Sequence, residues 1–172
     1  YARDTPARPG YPTENSMSAV AAFPYVRMCV LAKAEDLAKL PIKVMRGDEE
    51  VQDHPVHTLL DAPATKTDGW WLRVQLAVDY ALCGNAYSRL LNADTQAPSL
   101  VRLHPRRIEP LVEGSGQIEA YRFNGRDVYP WADVAHARGA SWQDTVEGVL
   151  GESAIRALHE DLTSDLAAKR MS

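Results

Sequence analysis

A chain of 172 residues, 45% of them hydrophobic, is long enough for one domain with a core of its own. No apolar run approaches the roughly 20 residues of a membrane-spanning helix, and the start lacks the apolar centre of a signal peptide. The formal charge of −4, from 19 Lys and Arg against 23 Asp and Glu, argues against a static grip on nucleic acid, because phosphate neutralisation requires a basic surplus. Contact with moving DNA remains compatible with it, since an acidic wall does not hold a polyanion in place.

Residues 1–15 carry Pro6, Pro9, Gly10 and Pro12 among small and charged residues and read as an extended arm. From Ser16 the pattern turns helical: Ala19, Phe23, Val26, Val30, Ala34 and Leu37 recur at steps of three and four. Asn15 or Ser16 suits the cap, Pro41 the stop, and Pro24 marks a kink or the proper start near Phe23. Ile42 to Arg46 reads as a strand closed by a polar turn, Gly47 to Glu50. His54 to Leu60 forms a short helix with Pro55 in its first turn.

The next helix takes Thr67 or Asp68 as its cap and stops at Gly84. Trp71, Val74, Val78 and Leu82 make one stripe, and Leu72, Leu76 and Tyr80 widen it, so the helix is expected to pack on more than one side. Six short strands follow: Ala86 to Leu91, Leu100 to His104, Arg107 to Val112, Ile118 to Phe123, Arg126 to Tyr129 and Val134 to Arg138. Glu113-Gly114-Ser115-Gly116 and Asn124-Gly125 are hairpin signals, because they supply residues that accept positive φ. Ala140 to Gly151 is a loop, and a helix begins near Glu152 with Ile155, Leu158, Leu162 and Leu166 on one face. The whole predicts an α+β fold, amphipathic helices on a mainly antiparallel multi-stranded sheet, with one domain over 16–150 and a helix starting in 151–172. The chain opens at Tyr1 and stops at Ser172 inside a helical pattern, as a part of a longer polypeptide would.

Few residues invite a chemical reading. His54 and His57 stand three apart beside Asp53 and Asp61, yet spacing indicates no third or fourth metal ligand. The favoured reading has Asp53 capping the helix while the histidines cover its outer side. Cys83 with His136 would be the nucleophile and base of a cysteine hydrolase, but no nucleophile elbow or protease signature surrounds Cys83. Cys29 and Cys83, both in apolar helical patterns, read instead as buried thiols in a reducing compartment. His104-Pro105-Arg106-Arg107 is the one tight basic cluster, read as a solvated turn or a salt-bridge surface between subunits. Trp70 and Trp71 lack interleaved basic residues and read as core or interface anchors rather than base-stacking platforms. Neither a phosphate loop nor a dinucleotide fingerprint is present. No catalytic, cofactor-binding or metal-binding residue is therefore assigned.

Several segments, taken in order, resemble a known family. Val26-Arg27-Met28-Cys29-Val30, Leu37-Ala38-Lys39-Leu40-Pro41, Ile42-Lys43-Val44, Asp53-His54-Pro55 with Leu59-Leu60, and Gly84-Asn85-Ala86-Tyr87 are similar to portal proteins of tailed phages, of the Hong-Kong-phage type. Leu103 with Pro105, Arg107-Ile108, Tyr121, Asp133-Val134-Ala135-His136, Gly148 and Gly151-Glu152-Ser153-Ala154-Ile155 continue the order. Ala154 stands where that family usually has proline, and the loop from Ala140 to Val149 is longer than a minimal one.

The resemblance implies a ring, typically of twelve subunits, at one capsid vertex. Double-stranded DNA would pass through it without sequence-specific binding, driven by a separate terminase, and a head-tail adaptor would join it. This chain would supply the arm and much of the wing of a virion subunit assembled in the bacterial cytoplasm against the major capsid protein. The stem, clip and crown would lie mostly beyond Ser172. No enzymatic activity, cofactor or membrane is implied. The alternatives are the hydrolase using Cys83 and His136, or a phage adaptor or other binding module sharing only the fold.

Overall fold

The structure is a computed structural model that describes residues 23–95, 97–114, 116–140, 149–153 and 155. The arm over 1–15, the helix start at Asn15 or Ser16, Ala154 and the stripe Leu158, Leu162 and Leu166 lie outside those residues.

Helix α1 spans Pro24–Lys39. Pro24 sits in its first turn, where a missing N–H leaves no bond unmade, and Phe23 occupies the N-cap position. The helix ends because Leu40, just before Pro41, is pushed into extended backbone at φ −64° and ψ 133°. Its buried face is Val30, Ala34 and Ala38, a strict four-residue repeat. Leu37 of the expected stripe is 56% exposed, and Cys29, expected inside, is exposed. Both lie beside the Val30-Ala34-Ala38 line, where the small alanines let a neighbouring helix approach closely.

Met45–Arg46 of the expected strand forms β1, and its partner β2 is Glu49–Glu50, which the sequence alone reads as turn; Val51 N–H donates to Val44 O at 2.8 Å just beyond the pair. Gly47 at φ 63° turns the chain within two residues. Both strands are exposed on each side, so no buried face extends the pairing toward Ile42.

Helix α2, Pro55–Asp61, is capped by His54 and not by Asp53: His54 Nδ1 accepts from Val56 N–H at 3.2 Å. Pro55 fixes the first helical position, which makes its predecessor the residue with cap geometry. Helix α3, Gly69–Cys83, is capped by Asp68, whose Oδ1 accepts from Trp71 N–H at 2.7 Å. It stops at Gly84 in left-handed backbone, φ 69°. Val74, with Ala77 and Val78, meets Ala34 and Ala38 of α1, while other positions of α3 pack on the strands.

Six strands form two three-stranded antiparallel sheets. The first has β3 (Asn85–Leu91) between β4 (Ser99–Leu103) and β8 (Val134–Arg138). The second has β6 (Ile118–Phe123) between β5 (Ile108–Val112) and β7 (Asp127–Pro130). Hairpin β6-β7 turns on Asn124 and Gly125 at φ 53° and 72°. The core lies between the sheets: Tyr87, Leu103 and Val134 from the first meet Ile108 and Tyr121 from the second. Strand β3, which α3 covers on its other face, is buried from Asn85 to Ser88. The layers thus run α1, α3, first sheet, second sheet, an α+β architecture of helices on antiparallel sheets.

Candidate functional site

Among the described residues, the densest polar chemistry lies where α3 passes into β3. Asp79, 1% exposed, sits on the face of α3 turned to the first sheet. Arg102 on β4 meets it in a two-pronged pair, Nε to Oδ2 at 2.5 Å and Nη2 to Oδ1 at 2.6 Å. Burial pushes the Asp79 carboxyl above its ordinary range, and the Arg102 hydrogen bonds and charge oppose that rise. The hydrogen bonds to Asp79 in turn hold the guanidinium proton more tightly. A planar fork matched to a carboxylate is the geometry that lets a charge be buried at all.

Six residues along the chain from Asp79, Asn85 uses all four of its hydrogen-bonding positions. Its Nδ2 donates to Cys83 O at 2.9 Å and Gly151 O at 2.8 Å. Its Oδ1 accepts from Gly151 N–H at 2.8 Å and from His136 Nε2 at 3.0 Å. Both amide hydrogens point at carbonyl oxygens, so Oδ1 is the acceptor and His136 carries its proton on Nε2. His136 Nδ1 then accepts from Tyr121 O–H at 3.2 Å, and the imidazole stacks on Tyr87 with ring centres 4.1 Å apart.

Three backbones cross beneath this network. Gly139 N–H donates to Gly84 O at 2.7 Å. A Cβ on Gly151 would overlap Gly84 O and Gly139 N, one on Gly84 would overlap the Glu152 carbonyl carbon, and one on Gly139 would lie 2.8 Å from Glu152 O. Glycine is required at this crossing because the colliding atoms are main chain and cannot turn aside.

The hydrolase pairing of Cys83 with His136 does not fit this geometry. What Asn85 engages at Cys83 is the carbonyl, while the buried thiol is pushed up to about 12 by desolvation and by the Asp79 charge. A nucleophile needs the thiolate, which this setting suppresses. Both ring nitrogens of His136 are engaged, and burial with the Arg138 charge lowers its pKa to about 4, so it is a weak base at neutral pH. The arrangement fixes backbones; it does not poise a proton.

Other sequence candidates also have structural partners. His57 Nε2 donates to Val51 O at 2.9 Å, tying α2 back to the preceding loop. Among the described residues no three His, Cys, Asp or Glu side chains are grouped to hold a metal. His104 repeats the His54 device: its Nδ1 accepts from Arg106 N–H at 3.2 Å over the Pro105–Arg107 turn. Arg107 donates to Asn124 Oδ1 at 2.6 Å and lies over the Phe123 ring, so it braces a hairpin rather than offering a free cation. Trp70 and Trp71 are 41% and 48% exposed, which removes the core reading and leaves that of an interface anchor. Among the described residues no helix is long and apolar enough to cross a membrane.

The sequence alone does not single out Asp79, Arg102 as its partner, or Gly139. An acid seven residues after Leu72 and four before Cys83 falls on one helical face with them, which was the available signal for a buried pair. Nothing local announces the Asn85 to Gly151 bonds, which span 66 positions.

Comparison with known proteins bears on the whole fold. A family model described as "Phage portal protein" matches residues 24–172. None of the curated proteins compared is similar in sequence. A chain in the solved structure "Neck of empty GTA particle computed with C6 symmetry" superposes with a TM-score of 0.81 at 21% identity, covering 95% of this chain and 47% of that one. Chains in "Neck of native GTA particle computed with C12 symmetry" and "Virion of native gene transfer agent (GTA) particle" give TM-scores of 0.74 and 0.75 at 20% and 21% identity. Each of these two covers 95% of this chain and 45% of its own. The chain therefore spans less than half the length of the solved chains it matches, and at these identities the likeness is one of fold. The family match, which starts at the first residue of α1 and takes in both sheets, the Asn85 network and the glycine crossing, makes the chain a member of the phage portal protein family.

Proposed function

We propose that this chain is the wing-side part of a portal subunit of the Hong-Kong-phage type, a structural component of a homo-oligomeric ring at a capsid vertex. The observation that carries the reading is the portal family match over residues 24–172. The fold shared with chains of gene transfer agent necks, structures computed with sixfold and twelvefold symmetry, supports it further. In this reading residues 1–15 are an arm, 16–150 the wing, and 151–172 the start of the passage toward the rest of the subunit. Twelve copies surround a channel through which double-stranded DNA is packaged and ejected. The major capsid protein, the terminase large subunit and a head-tail adaptor are its partners in the virion, and assembly takes place in the bacterial cytoplasm.

The role is mechanical rather than catalytic. A formal charge of −4 suits a wall past which a polyanion slides, since attraction would hold it. The exposed Trp70 and Trp71, and the outer residues Tyr25 and Met28 of α1, at 82% and 66% exposure, offer apolar surface for assembly. Electron microscopy of the full-length protein tests the reading: rings with a central channel are expected, and a strictly monomeric species under assembly conditions would count against it.

A further inference from the structure

We infer that Asn85 is a positioning residue, a latch that fastens the segment from Val149 to Ser153 to the wing and so fixes the direction in which the chain continues beyond it. The fastening is dense for so short a stretch. Arg138 Nη1 donates to Val149 O at 3.4 Å, and Asn85 grips Gly151 at both its N–H and its C=O. Ser153 Oγ donates to Ala81 O at 3.2 Å and accepts from Ile155 N–H at 3.1 Å. These anchors come from three places: the last turn of α3, the first residue of β3 and the end of β8. The segment is thus bound to a corner shared by two layers.

Asn85 is the pivot of the set because it engages a peptide group as a neighbouring strand would, accepting and donating together. His136 holds the amide in that orientation, and Tyr121 and Tyr87 hold His136. The four-bond arrangement leaves the amide one orientation, since a flipped Asn85 would set an oxygen against two carbonyls. A head-to-tail ring closes only when each subunit repeats the same rotation relative to the next. A fixed exit direction from the wing supplies that repeat, and this part of the inference rests on the portal reading above.

Hydrogen exchange read residue by residue on the full-length protein, with native mass measurement of the assembled species, tests both parts. In the unaltered protein the Gly151 amide is expected to exchange as slowly as the amides of β3; exchange at the rate of exposed chain would overturn the latch. In Asn85→Ala, exchange at Gly151 is expected to quicken by roughly tenfold or more beyond any change in β3 and β6, whose amides follow only the loss of global stability. Unchanged exchange at Gly151, or a gain there no larger than in β3 and β6, would each overturn a local latch. Rings of mixed size from the variant, against one size from the unaltered protein, support the closure role. A single unchanged size beside fast exchange at Gly151 overturns that role. If the unaltered protein forms no ring, the portal reading and the closure role fail, while the latch is still decided by exchange.

Discussion

Asn85 and Gly151, far apart in the chain, are joined like adjacent strands, with the side-chain amide of one exchanging two hydrogen bonds of 2.8 Å with the peptide groups of the other. Removing the amide would strand the Gly151 N–H and C=O, the Cys83 carbonyl and the His136 Nε2–H. With about 1 kcal/mol for each such group, Asn85→Ala is expected to lose roughly 4 kcal/mol. For a chain of this length that lowers the melting temperature by on the order of 10 °C. Thermal unfolding followed by circular dichroism measures it, and a fall of only a degree or two would contradict the assignment.

His136 makes stability depend on pH in a stated direction. Its pKa is lowered to about 4 in the folded protein, against roughly 6.5 for an unperturbed histidine. The unfolded chain therefore binds the proton first, so the contribution is full above about pH 6.5 and is lost as pH falls toward 4. The whole loss is at most about 3 kcal/mol. Urea unfolding of the native chain and of His136→Gln at pH 7.5, 6 and 4.5 isolates it, because the other titrations are common to both. A variant losing as much stability as the native chain over this range would remove His136 from the account.

The Asp79–Arg102 pair should behave as a buried ion pair does. Arg102→Met alone leaves the Asp79 carboxylate without its fork and is expected to destabilise by about 3–5 kcal/mol. Asp79→Leu combined with Arg102→Met removes both charges and should recover most of that loss. Chemical denaturation of the two single variants and the double variant completes the cycle. Additive losses would mean that the pair is not coupled.

Glycine substitutions separate a crowded position from an open one. At Gly47, φ is 63° and an added Cβ would meet nothing within 4 Å, so Gly47→Ala bears only backbone strain, about 1 kcal/mol. At Gly151 the Cβ would enter the backbones of Gly84 and Gly139, and Gly151→Ala is expected to lose more than about 3 kcal/mol or fail to fold. Side-by-side expression and melting of the two variants decides it, and equal losses would contradict the crossing.

Local signals in the sequence agree with the structure where local forces decide the backbone. Asp68, Gly84, Asn124 and Gly125 act through their own backbone and nearest turn, and the strands they bound fall within about one residue of expectation. The family likeness also came through, because it rests on the order of these same signals. Contacts made at a distance were not legible. Cys29 and Leu37 have helical spacing compatible with burial, but which line of α1 faces α3 was set by Ala34 and Ala38 fitting against Val74. Likewise, six strands in a row do not say that they divide into two sheets; the division follows from Tyr87 and Tyr121 packing between layers. Asn85 reads as the polar first residue of a strand, and only the return of the chain at Gly151 turns it into a fastening.

The crossing at Gly84, Gly139 and Gly151 joins three distant positions into a single unit of variation. Most tight packing can be relieved by trimming a neighbour's side chain, but here the neighbours are peptide groups and there is nothing to trim. A substitution at any of the three can be accommodated only by moving a whole segment of chain, so their histories should be linked: all three glycines kept, or all three lost together with the path the chain takes after β8.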